Sequence, residues 1–184
     1  MFSLIIHGEN SASELYLWEL TIQCDIAELA FKRLQEYSRI QLSKEYSSTT
    51  PHPKNPIEVL YDCSTFLSAA GIIAKILSAK KGLPADRSNA LRSILGIDEL
   101  KNLCNLAVRN SFEHIDERLD RLLKESPSER FISTHMSSKE PGTGMILKHF
   151  NPNKLTLSYL GEELDLEGCH SEITDIQKKT PNLL

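Results

Sequence analysis

SASELYLWELTIQCDIAELAFKRLQEYSRIQLSKEY, residues 11–46, decides the fold class. Ser11-Ala12-Ser13-Glu14 fits a capping box, in which a hydroxyl and a carboxylate satisfy the free N–H groups of a helix start. Leu15, Trp18, Ile22, Ile26, Leu29, Phe31, Leu34 and Tyr37 then recur in the steps of three and four that mark one apolar helix face. The pattern predicts a helix from about Ser11 to Tyr46, with Trp18 and the Leu/Ile stripe as its core side.

Outward from this helix the chain stays helical for most of its length. Residues 2–6 read as a short strand or a loose apolar arm, and Ser47 to Pro56, rich in Ser, Thr and Pro, reads as a loop. A second helix is expected from Ile57 to Lys81. Its middle, Cys63 to Ala79, carries Ser, Ala and Gly71, and small residues let helix axes approach, so it reads as the innermost helix. Gly82-Leu83-Pro84 should end it. Ser88 to Leu95 reads as a short helix closed by Gly96. Asp98 is the expected cap of a long helix to Lys124, stopped by Ser126-Pro127.

Beyond residue 125 the texture changes. Residues 126–143 are polar and irregular. Met145–Phe150 and Leu155–Tyr159 read as strands around an Asn151-Pro152-Asn153 turn. Gly161-Glu162 leads into Glu163–Leu166, and a short helix is expected over Ser171–Lys179. The expected architecture is mainly α, a helical domain over residues 1–125 followed by a linker and a small β-hairpin appendage over 126–184.

Composition narrows the function classes. The 184 residues hold 21 basic and 25 acidic side chains, net −4. That excludes a bulk polycation coating nucleic acid through net charge alone. Cys24, Cys63, Cys104 and Cys169 form no CxxC pair, and His7, His52, His149 and His170 are scattered, so no metal site is expected. The plain reading is four reduced thiols in a cytosolic protein. The N-terminus has no basic start, and its apolar run is too short for a signal segment or a membrane span. There is no Walker loop, GxGxxG, HExxH or GxSxG, and no cofactor is expected.

The chemistry-bearing stretch is Arg109-Asn110-Ser111-Phe112-Glu113-His114-Ile115-Asp116-Glu117-Arg118-Leu119-Asp120. With Arg109 at zero and about 100° per residue, Val108, Phe112, Ile115, Leu119 and Leu122 share one arc of about 220° to 320°. Arg109, Asn110, Glu113, His114 and Glu117 share another, which half a helix earlier holds the apolar Leu103, Leu106 and Ala107. A second face that begins apolar and turns polar suits a subunit contact with a cleft beside it. Histidine moves protons near neutrality, arginine holds a phosphate by two hydrogen bonds, and an amide can orient a ribose hydroxyl. Together they could cleave a phosphodiester through its own 2′-hydroxyl without a metal. The plainer alternative is that Arg109 and His114 are an interhelical hydrogen-bonded pair, with Arg109 also bridging Glu113 one turn on. Arg130 and His135 repeat the bare Arg-x4-His spacing, but without a helical pattern around them.

Arg-Asn-x-x-x-His on a late helix of an all-α domain resembles the HEPN superfamily (higher eukaryotes and prokaryotes nucleotide-binding), over roughly residues 10–125. The resemblance implies an up-and-down bundle that dimerises so that two motifs face one cleft. Many members are metal-independent ribonucleases of toxin–antitoxin, phage-defence or RNA-processing systems. Carried over, His114 is general acid or base, Arg109 holds the scissile phosphate and Asn110 orients. An RNA substrate and an antitoxin or regulatory partner are implied, and a non-catalytic dimeric interaction or nucleotide-binding module is the alternative. Asp116 stands where some members carry a modified Tyr. Independently, Cys63 to Ile97 carries Lys75, Lys80, Lys81, Arg87 and Arg92 against Asp86 alone, a possible RNA phosphate track or an ordinary solubilising surface.

Overall fold

The computed structural model describes residues 11–43, 55–104, 107–125, 131–132, 134–137 and 145–180. It is mainly helical with a small sheet towards the C-terminus. The 2–6 segment, most of the 47–56 loop, Arg130 and Leu106 lie outside the described residues, as does the Ser11 side chain.

Helix α1 spans Ser11–Gln41. Its buried side differs from the expected one. Leu17, Leu20, Cys24, Ala27, Ala30, Phe31, Leu34 and Tyr37 face the core. Leu15 is 53% exposed, Ile26 37% and Leu29 53%, while Trp18 and Ile22 are half-buried. Of the expected stripe, Phe31, Leu34 and Tyr37 are in the core, while Leu15, Trp18, Ile22, Ile26 and Leu29 are not. The reason is steric. Cys24, Ala27 and Ala30 let α2 approach closely, and the bulkier stripe lies on the other side. Two hydroxyls on the buried face bond back to carbonyls one turn earlier, Thr21 to Leu17 at 3.1 Å and Ser38 to Leu34 at 2.9 Å. Polar residues thus sit in the core without an unmet hydrogen bond, which disguised that face in the sequence.

Helix α2 spans Pro56–Leu77, with Pro at its first position, where the missing N–H is no loss. The Asn55 side chain accepts from Ile57 N at 2.9 Å. It is the innermost helix, as expected, with Phe66, Ala69, Ala70, Gly71, Ile73 and Ala74 buried. By length and composition α2 could cross a membrane, with a mean hydropathy of 1.4 over its best window, but 56% of that window is buried within the fold. It ends at Leu77, four residues short of Lys81. Ser88 explains the stop: its Oγ accepts from Ala79 N at 3.2 Å and donates towards Ile76 O at 2.7 Å. Helix α3 spans Gly82–Leu95, so Gly82-Leu83-Pro84 opens a helix as well as separating two. Gly96, at φ +59°, closes it as expected, with Ile97 N reaching back to Arg92 O at 2.9 Å.

The single helix from Asp98 to Lys124 is overturned. Residues 97–104 are irregular, and two helices follow, α4 (Ala107–Glu113) and α5 (Ile115–Glu125), separated at His114. Asp98 is no cap. The Glu172 carboxylate accepts from the backbone N–H groups of Lys101, Asn102 and Leu103, each at 2.9 Å, and from the Asn102 side chain at 3.0 Å. A negative charge brought from a distant helix takes the donors a helix start would leave free. Leu100 and Leu103 are buried beside it.

Among the described residues six short strands follow: β1 (Phe131–Ile132), β2 (His135–Met136), β3 (Met145–Ile146), β4 (Lys148–Asn151), β5 (Thr156–Tyr159) and β6 (Glu162–Asp165). The expected Met145–Phe150 strand is two pieces: β3 pairs with β1, while β4 joins a sheet ordered β2-β4-β5-β6. Asn151 Oδ1 accepts from Asn153 N and Lys154 N, closing the β4–β5 turn. Leu160 (φ +51°) and Gly161 (φ +85°) make the β5–β6 turn, where positive φ at both central residues suits the twist of a hairpin. Helix α6 (Leu166–Lys179) then returns to α1. Gln177 donates to Asp25 at 2.6 Å, and the His170 ring lies on Phe31 at 3.9 Å while bonding the Glu28 carboxylate.

A hairpin appendage is thus too small a description. Phe150, Leu157, Tyr159, Leu164, Leu166, Cys169, Ile173 and Ile176 belong to the same buried cluster as the α1–α2 core. Phe112 of α4 meets Tyr159 edge-on at 5.5 Å, and Tyr37 of α1 meets Phe150 at 5.9 Å. The alternation in β4–β6 supplied an apolar face, and the helical layer covers it.

Candidate functional site

Arg109, Asn110 and His114 are where the chemistry was expected, and the fold divides them. Arg109 is 8% exposed and turned inward against α2. It passes over Gly71, where a Cβ would stand 2.5 Å from its Cδ and closer still to its Nε. Only glycine leaves that space within a helix. The guanidinium Nη2 then donates to Glu113 Oε1 at 2.6 Å, and Lys75 Nζ reaches the same oxygen at 3.8 Å. The bridge one turn along the helix is therefore formed. Beside it lies a cavity of about 10 Å³, no larger than a water, lined in part by Leu67, Gly71, Leu103 and Arg109.

Asn110 is exposed, and the His114 side chain is 58% exposed, 3.8 Å from the Glu117 carboxylate. The backbone ladder holds through the helix break: His114 N reaches Asn110 O at 3.0 Å and Arg118 N reaches His114 O at 3.1 Å. Asn110 and His114 thus stand one turn apart on the outer side, while Arg109 is committed to the inner one. Leu103, expected on an outward apolar arc with Ala107, is buried in this chain's own core, and Ala107 is half-buried.

The basic stretch separates into two groups. Lys75, Lys80 and Lys81 are exposed. Arg87 instead stacks 4.6 Å over the Tyr16 ring and donates to Tyr16 Oη and Lys75 O, both at 3.2 Å. Arg92 donates to Asn89 Oδ1 at 2.7 Å and to Asp98 O at 3.4 Å. These two guanidiniums are engaged within the fold, so of the five basic residues only the three lysines are exposed, Lys75 among them 3.8 Å from Glu113.

Three polar groups that sequence reading passed over shape the fold. Asp62 is buried in α2 beside Arg33, 3.4 Å away; a lone acid inside an apolar helix was the available signal. Glu172 and the Glu28–His170 pair gave none, since their partners lie some 70 and 142 residues away in sequence. Burial pushes the Glu28 carboxyl up, but hydrogen bonds and charge from His170 and Lys32 outweigh it and hold it below the ordinary carboxylate value. Burial pushes the Cys24, Cys63 and Cys169 thiols up to about 12, and Tyr159 likewise, so none of these serves as a nucleophile near neutrality. Cys104 is exposed, its Sγ 3.2 Å from Ser78 Oγ. Among the described residues no cluster of three or more His, Cys, Asp or Glu side chains could hold a metal ion. Comparisons of the chain with family models, curated proteins and solved structures return no match.

Proposed function

We propose that this chain is a non-catalytic helical interaction module, HEPN-like in kind and cytosolic in setting, in which Arg109 of the Arg-Asn-x-x-x-His stretch packs α4 against α2. One observation carries the reading: the Arg109 guanidinium is buried across Gly71 and bonded to Glu113. A guanidinium so placed, 8% exposed and with its Nη2 already on Glu113, would have to leave that seat before it could make a two-pronged contact with a phosphate. The test combines cleavage and melting for wild type, Arg109→Met and His114→Ala, over single-stranded and structured RNAs, with and without a chelator. No cleavage by any of the three is expected. Arg109→Met should lower stability by about 1–3 kcal/mol, because Glu113 loses a charge-assisted partner.

The metal-independent endoribonuclease is the second reading, favoured by one feature: Asn110 and His114 stand exposed one turn apart. It requires Arg109 to leave Glu113 when RNA arrives. Cleavage by the wild type that survives chelation and falls about 10²–10⁴-fold in His114→Ala would establish it and overturn the module.

A further inference from the structure

Helix α1 has two apolar faces, and this fold uses one. At about 100° per residue, Leu17, Leu20, Cys24, Phe31 and Leu34 share the buried side. Leu15, Trp18, Ile22, Ile26 and Leu29 fall within an arc of about 80° on the opposite side. Trp18 and Ile22 are half-buried there, and the other three are exposed. Single exposed apolar residues need no explanation, but a continuous stripe over four turns does.

The stripe also has a symmetry. Counted from Ile22, its members stand at −7, −4, 0, +4 and +7, an order that reads the same in both directions. Such a ridge is self-complementary. A two-fold axis crossing Ile22 at right angles to the helix lays a second copy antiparallel, so Leu15 meets the partner's Leu29, Trp18 the partner's Ile26, and Ile22 its own counterpart.

Charge selects the same orientation. Glu14 and Lys32 are 18 positions apart, five turns of about 3.6 residues, so they flank the stripe on the same side. Glu14 is exposed, and the Lys32 side chain is 68% exposed in its 3.0 Å pair with Glu28, which it would share or exchange in the pairing. In the antiparallel arrangement each Glu14 lies within about 3 Å, measured along the axis, of the partner's Lys32, giving two symmetric opposite-charge pairs. A parallel two-fold carries the partner's Glu14 and Lys32 to the other side of the stripe, where they form no such pairs.

We infer that α1 is a homodimerisation helix, pairing antiparallel with a second copy through Leu15, Trp18, Ile22, Ile26 and Leu29. This names the partner of the interaction module proposed above and rests on that reading. It moves the subunit contact from α4 to α1. The ridge is about 21 Å long, which suits a reversible dimer of micromolar affinity.

Sedimentation velocity over about 1–500 µM tests it in the full chain. The wild type should pass from monomer to dimer. Ile22→Asp enters twice across the axis and should weaken association about 100-fold or more, with the dilute monomer still folding cooperatively at a modestly lower melting temperature. Glu14→Lys should weaken it less, and Glu14→Lys combined with Lys32→Glu should restore it. In a Cys104→Ser background, Ile22→Cys should crosslink to itself on mild oxidation far faster than Ile94→Cys on the exposed side of α3. A monomer throughout the range overturns the pairing and leaves the stripe to another occupant, without touching the RNA and melting results for Arg109. A dimer unaffected by Ile22→Asp, or equal crosslinking at positions 22 and 94, overturns it as well.

Discussion

Gly71→Ala tests the seat of Arg109 from the other side of the contact. In an exposed helix interior this change would stabilise by about 0.8–1.0 kcal/mol, because glycine carries the larger backbone entropy. Here the new methyl would stand 2.5 Å from Arg109 Cδ and closer to Nε. Those atoms lie midway along the side chain, so swinging its tip does not relieve the clash. Either α2 and α4 part, at about 1–3 kcal/mol for overpacking, or the guanidinium leaves Glu113, at about 1.5–3 kcal/mol for a charged hydrogen bond. Against the helix gain, either route leaves a net loss of up to about 2 kcal/mol. For a chain of this size that lowers Tm by up to about 8 °C. The double variant Gly71→Ala/Arg109→Ala removes the obstacle, so within the Arg109→Ala background Gly71→Ala should be neutral or stabilising by up to about 1 kcal/mol. Chemical denaturation of the four proteins closes the cycle. If Gly71→Ala stabilises the wild type, or shifts both backgrounds equally, Arg109 is not held against Gly71.

The Glu28–His170 pair predicts an acid-side slope. A carboxyl held below its ordinary value of 4.5 contributes stability that is present above that value and lost as pH falls through the folded pKa. Thermal melts from pH 6 to 3 should therefore decline below about pH 4.5 in the wild type, and less steeply in Glu28→Gln. Thiol labelling at pH 8 should modify Cys104 quickly, while Cys24, Cys63 and Cys169, buried and pushed up to about 12, react only on unfolding; three or four fast equivalents would contradict that burial. Glu172→Ala should cost about 1–3 kcal/mol and raise amide exchange at Lys101, Asn102 and Leu103, which lose a shared acceptor.

Local signals carried the helices well. The Pro–Gly punctuation, the Gly96 closure and the small-residue interior of α2 all name elements that exist, because each depends on neighbours within a turn or two. The errors arose where a distant partner decided. Periodicity could show that α1 is amphipathic, but it holds two apolar stripes, and Cys24, Ala27 and Ala30, which let α2 in, look less hydrophobic than Trp18 and Leu29. The helix expected from Asp98 gives way to an irregular segment whose N–H groups at Lys101, Asn102 and Leu103 are taken by the distant Glu172. At the candidate site, the i to i+4 spacing showed that Arg109 could bridge Glu113 and that Asn110 and His114 could stand together. The chain adopts both, and the inward turn of Arg109 away from the other two depends on Gly71, in another helix.

Glu172 also imposes an order of events in time. Residue 172 is synthesised about 70 positions after the backbone amides it receives. At about 5–20 residues per second, the turn at 101–103 waits some 4–14 seconds on the ribosome with its donors facing water. Over the same interval α1 and α2 are already out and able to pair, with Cys169, Ile173 and Ile176 still to be made. The buried core around Leu103 and Val108 is therefore completed by its last arrivals, and a ribosome that stops before α6 leaves a nascent chain whose defect shows first at residues 101–103, far upstream of the break.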